Sequence, residues 1–138
     1  MKVVNAVFPE PPQMVEFFGA PEDGPFVMVN LLKFHEKARY PDGSDSHLSG
    51  KEAYARYGEA VRKLVEGLGG RIRYSGAVTG LLLGEVEELW DAVALAEYPS
   101  LAAFQAMAMS PEMHAIEHHR KAGLAGQLNI RTRPGPGF

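Results

Sequence analysis

The chain has 138 residues with ordinary hydrophobic and charged fractions, so it reads as one folded soluble domain and not as a disordered segment. Its formal net charge of −3 gives no basic footprint for a phosphate backbone, so nucleic acid is not an expected partner. The absence of cysteine excludes disulfides, thiolate nucleophiles and thiolate metal sites, and fits a cytoplasmic protein.

Residues 1–24 read as an N-terminal arm and a short helix. Met1 to Phe8 carries one lysine and an apolar run too short for a signal peptide. Pro11 and Pro12 suit a first helical turn, and Met14, Val15, Phe17 and Phe18 give that helix a greasy side before Gly19. Residues 26–132 form the expected core. Phe26 to Phe34 is a strand that is apolar on both alternations, as for a strand covered on both sides, with Asn30 and Lys33 its only polar entries. A polar loop follows from His35 to Leu48, possessing Pro41, Asp42 and Gly43, and has the character of a lid. Ser49 and Glu52 make a capping box for a helix whose apolar residues, Ala53, Tyr54, Tyr57, Ala60, Val61, Leu64, Val65 and Leu68, recur at helical spacing up to Gly69-Gly70.

Arg71 to Gly84 reads as a strand bent at Gly76 or Gly80. After an acidic turn, Leu89 to Tyr98 returns as the second arm of a hairpin. Pro99 stops it, and Ser100 caps a helix reaching about Met109. Ser110-Pro111-Glu112 starts another helix, which runs to Gly123. Gln127 to Thr132 is the last strand, and residues 133–138 form a tail. No apolar stretch approaches the roughly 20 residues that span a bilayer, so no membrane partner is expected.

The order after the arm is β, α, β, β, α, β, an α+β ferredoxin-like arrangement: a four-stranded antiparallel sheet with helices on one face. Because the first and third strands are apolar on both alternations, the second face needs a cover, and a second copy of the chain would supply it.

Several strings then carry a likeness: Asn30-Leu31-Leu32-Lys33-Phe34, Tyr54-Ala55-Arg56-Tyr57, Gly69-Gly70-Arg71, Trp90-Asp91, Glu97-Tyr98-Pro99-Ser100, Ser110-Pro111-Glu112 and His119-Arg120. In order and spacing they resemble the longer members of the domain of unknown function 1330 family, within the dimeric α/β-barrel superfamily, over Val3 to Arg131. The resemblance implies a ferredoxin-like protomer whose sheet meets its partner's in a barrel. It implies no activity, since going from shared fold to shared reaction is analogy.

The candidate chemistry gathers around the last helix. Met113, Ile116, Arg120 and Leu124 share a face, so Arg120 interrupts an apolar stripe and needs a partner. As a site, Arg120 would hold a negatively charged ligand, His119 would move protons, and Asp91 is a further catalytic candidate. Asn30, Trp90 and Tyr98 would shape the pocket. As a brace, Arg120 would pair with Asp91 or Glu97. His114-Ala115-Ile116-Glu117-His118 spells an inverted zinc-protease string, but past His119 the chain carries no Asp, Glu, His or Cys to complete a catalytic set, and no metal is expected. Residues 42–47 lack the spacing of a calcium loop. The functional expectation is a homodimer that binds or transforms a small acidic or aromatic metabolite, between sheet and helices, without metal or other cofactor. The alternative is a non-catalytic binding or interaction protein whose ionisable cluster is structural. The residues leave open whether it is an enzyme.

Overall fold

The structure, a computed structural model, describes residues 1–136; residues 137–138 of the expected tail lie outside it. Helix α1 (Pro11–Phe18) is followed by β1 (Phe26–Phe34), α2 (Gly50–Gly67), β2 (Arg71–Ala77), β3 (Ala92–Tyr98), α3 (Leu101–Ala108), α4 (Pro111–Gly123) and β4 (Leu124–Thr132). The strands make one antiparallel sheet in the order β2-β3-β1-β4, which is the ferredoxin-like topology.

Local chemistry explains the element ends. The Ser49 hydroxyl accepts from Glu52 N at 3.0 Å while Glu52 returns the bond to Ser49 N at 2.9 Å, so α2 starts on the expected capping box. Ser100 and Ser110 accept from Ala103 N and Met113 N and begin α3 and α4. One cap is not visible in sequence: the Glu22 carboxylate accepts from Leu101 N and Ala102 N, both at 3.0 Å, tying the segment after α1 to the start of α3. These backbone bonds hold Glu22 below the ordinary carboxylate range.

Register separates the two faces. Phe26, Met28, Asn30 and Leu32 sit opposite Tyr98, Ala96, Ala94 and Ala92 on the helix-covered face. There Phe26, Met28, Ala96 and Tyr98 join Val65, Leu101, Met107 and Met113 in the core, with Phe17, Phe18 and Phe104 packed against them. Val29, Leu31, Val93, Leu95, Leu128 and Ile130 alternate onto the opposite face, which no helix among the described residues covers.

Strand β2 is shorter than the sequence suggests. It ends at Ala77, one further bond joins Val78 N to Asp91 O, and the chain then leaves the sheet through the exposed Leu81, Leu82 and Leu83. Its irregularity lies between Ile72 and Tyr74, not at a glycine; Gly76 stays paired with Val93. The glycine instead leaves room for Tyr74, whose hydroxyl lies 2.5 Å from where a Gly76 Cβ would stand.

Candidate functional site

A cleft of about 1030 Å³ opens between α2 and the helix-covered face of β1, β2 and β3. Its walls combine Leu32, Val61, Val65, Ile72, Ala94 and Ala96 with the polar side chains of Asn30, Tyr54, Tyr57, Tyr98 and Asp91. Exposed Glu36, Lys51, Glu59, Arg62 and Glu88 stand at its edge. A pocket with apolar walls and a few placed polar groups is the usual form of a small-molecule site.

The three tyrosines are its most unusual lining. The three-residue step on α2 turns Tyr54 and Tyr57 to one side, with ring centroids 5.4 Å apart. Tyr98 enters from β3 and is only 6% exposed. Neither the Tyr54 nor the Tyr98 hydroxyl bonds another described residue, and Tyr57 reaches only the Met113 thioether at 3.9 Å. No fully buried side-chain polar atom among the described residues lacks a partner, so the Tyr54 and Tyr98 hydroxyls keep some accessible surface, and both side chains line the cleft. Burial pushes all three phenols above their ordinary range, and the Arg120 charge draws Tyr54 and Tyr57 partly back.

Behind this wall runs a polar chain. Arg120 Nη2 donates to Gln127 Oε1 at 2.7 Å, Gln127 Nε2 donates to Asn30 Oδ1 at 2.7 Å, and Asn30 Nδ2 donates to the Ala94 and Met28 carbonyls. Arg120 therefore reaches the cleft through two amides, and its outer side lies 5.6 Å from the centre of the Phe8 ring. The expected brace to Asp91 or Glu97 does not form. Asp91 pairs with Lys33 and accepts from Phe34 N at 2.8 Å, while Glu97 faces the opposite side of the sheet and pairs with Arg71 and Arg73. Among the described residues Arg120 has no carboxylate within 4.0 Å.

The structure also parts His119 from Arg120. His119 Nδ1 lies 2.7 Å from Tyr40 Oη, on the side of the loop between β1 and α2, and lines no part of the cleft. Successive helix residues point about 100° apart, so neighbours in sequence serve different surfaces. Trp90 is likewise outside the cleft, its indole N–H donating to Asn5 Oδ1 of the N-terminal arm at 2.7 Å. Of the expected site residues, Asn30, Tyr98 and Asp91 line the cleft; Trp90, His119 and Arg120 do not. Tyr54, Tyr57 and Gln127 were not expected as site residues. The Tyr54/Tyr57 spacing was legible, but it marks a core face unless their hydroxyls are counted as groups that need partners. Among the described residues no three His, Asp or Glu side chains gather as a metal site would require.

Fold and topology define an α+β protein of the ferredoxin-like class. A structure described as a dimeric protein of unknown function and ferredoxin-like fold, from Bacteroides fragilis NCTC 9343, matches 78% of this chain and 94% of its own at a TM-score of 0.50 and 14% identity, a likeness of fold alone. The chain belongs to the DUF1330 family, a domain of unknown function whose profile matches residues 44–131. The RPA0582 protein of unknown function from Rhodopseudomonas palustris is 34% identical, with 97% of this chain and 100% of that one aligned at a TM-score of 0.87. Methylated RPA0582 protein gives 35% identity over 99% of this chain and 100% of that one, at a TM-score of 0.88. No match was found among curated proteins.

Proposed function

We propose that the protein works as a homodimer and binds a small acidic or aromatic metabolite in the cleft between α2 and the sheet. The observation that carries this reading is the Tyr98 hydroxyl, on a cleft-lining side chain only 6% exposed, which has no protein partner among the described residues. A donor in that position is satisfied by an acceptor on a ligand or by water. Tyr54 and Tyr57 would add donors, Asn30 would fix the end of the polar chain, and Arg120 would favour negative charge from behind. Asp91 lines the same cleft but is engaged by Lys33 and Phe34 N, so its role is to hold the cleft edge. Neither metal nor other cofactor enters this reading, and its setting is cytoplasmic.

Calorimetric titration with a panel of small aromatic and aliphatic carboxylates, headed by benzoate, tests the proposal. We expect a member to bind with Kd at or below about 1 mM, and Tyr98→Phe to weaken it about fivefold or more without lowering the melting temperature. If no member of the panel binds in that range, the cleft is not a site for such metabolites.

A second reading is favoured by the Arg120–Gln127–Asn30 chain, which joins α4 to β4 and β1 and gives Arg120 a purely structural task. It expects Arg120→Ala to cost about 1–3 kcal/mol, through the buried Gln127 amide left without its donor, and no panel compound to bind.

A further inference from the structure

Resting on the cleft reading above, we propose that Tyr54, Tyr57 and Tyr98 form an oxyanion pocket, so that the cleft takes the ionised form of a planar phenol or enol in preference to its neutral form. Three tyrosine side chains from α2 and β3 line one cleft; among the described residues two of their hydroxyls have no protein partner and the third donates only to a thioether. Each must remain a donor. Burial holds all three above their ordinary range, and an ionised Tyr54 or Tyr57 would repel an ionised Tyr98, so none of them loses its proton near neutrality.

A ligand oxygen that reaches these hydroxyls meets O–H donors. A neutral phenol uses its own proton against such a wall. A phenolate or enolate presents only lone pairs and accepts from several donors, which is the arrangement that stabilises an oxyanion. The ligand's planar body would rest on the apolar walls, Leu32, Val61 and Ile72 among them.

The charges around the pocket are mixed in sign, and the one that acts on the tyrosines most strongly is positive. Arg120 on α4 acts on Tyr54 and Tyr57 in the sense that favours negative charge there, and it is not neutralised by a carboxylate within 4.0 Å among the described residues. Glu117, also on α4, opposes it at Tyr57, and there the Arg120 effect is the larger. At the cleft edge Asp91 and Glu88 are both paired with Lys33, while Glu36, Lys51, Glu59 and Arg62 are exposed and screened.

The probe is 4-nitrophenol, whose ionised form alone has the visible absorption band, with 4-nitroanisole as the isostere that cannot ionise. With protein in excess, we expect the midpoint of the visible band to fall by about 1 pH unit, which equals about tenfold tighter binding of the phenolate than of the phenol. Tyr98→Phe reduces that shift, whereas Tyr74→Phe, on the other face of the sheet, leaves it unchanged. If 4-nitrophenol binds with its midpoint unmoved or raised, or binds no better than 4-nitroanisole, the oxyanion pocket is overturned while the cleft reading stands. If neither compound binds while a carboxylate of the earlier panel does, the oxyanion pocket again falls alone. If nothing binds, both fall.

Discussion

At the scale of single residues, the Tyr40 hydroxyl receives an Arg56 N–H at 3.3 Å and lies 2.7 Å from His119 Nδ1. A guanidinium can only donate, so Tyr40 accepts from Arg56, while the direction of its bond with Nδ1 is set by the His119 tautomer. Burial first, then the His118 and Arg56 charges, hold His119 below its ordinary value, against a smaller opposing pull from Asp45. His35 is lowered too, by burial and then by Arg39. Both groups therefore bind protons less readily folded than unfolded. Their stabilising share is complete above about pH 6.5 and is lost as pH falls toward the folded values. Melting temperature measured against pH should decline on acidification through that range, and His119→Gln should make the decline shallower; an unchanged slope would count against burial and the neighbouring charges acting on His119. Little of this was legible in the sequence. The pair His119-Arg120 invites a joint role, but the helix turns the two side chains to separate surfaces, and neither helix spacing nor composition reveals that Tyr40, 79 positions earlier, is the partner of the histidine.

At the scale of elements, α2 and α4 cross at two glycines. A Cβ on Gly123 would stand 2.3 Å from Gly50 O and 2.7 Å from Tyr54 N. The connection out of β1 closes the same junction, with His35 N donating to Gly123 O and Arg39 N to Ala122 O, both at 2.8 Å, so the last carbonyls of α4 are satisfied by a loop. Gly123→Ala should push α2 outward, change the shape of the cleft and destabilise by about 1–3 kcal/mol in chemical denaturation. A neutral effect would mean that the helices have room to move. Most elements were readable because their signals are local: the Ser49, Ser100 and Ser110 caps, the Gly69-Gly70 stop and the apolar runs of β1 and β3 depend on neighbours within four residues. The end of β2 was not. Its leucines have strand character, but pairing stops where the partner chain turns away at Asp91, a tertiary event. The Arg73 irregularity was missed because glycine is only one of several ways to make a bulge.

At the scale of the whole molecule, one sheet face lies under α2 and α4 while the other presents Val29, Leu31, Val93, Leu95, Leu128 and Ile130, with Tyr74 58% exposed beside them. A continuous apolar face of this kind is stable in water only when covered, and a second copy is the cover we propose. Sedimentation velocity at micromolar concentration should show a dimer, and Leu95→Glu, which sets a carboxylate in the middle of that face, should give a folded monomer; a wild-type monomer would contradict the proposal. The need for a cover was readable from the double alternation in β1 and β3.

The cleft itself offers the most direct measurement, because the chain has five tyrosines and the fold sorts them into two groups. With every tyrosine labelled at the ring carbon bearing the hydroxyl, benzoate or 4-nitrophenolate should move the Tyr54, Tyr57 and Tyr98 resonances and leave those of Tyr40 and Tyr74 in place. If none of the five moves, or only Tyr40 and Tyr74 respond, the cleft between α2 and the sheet is not the binding site.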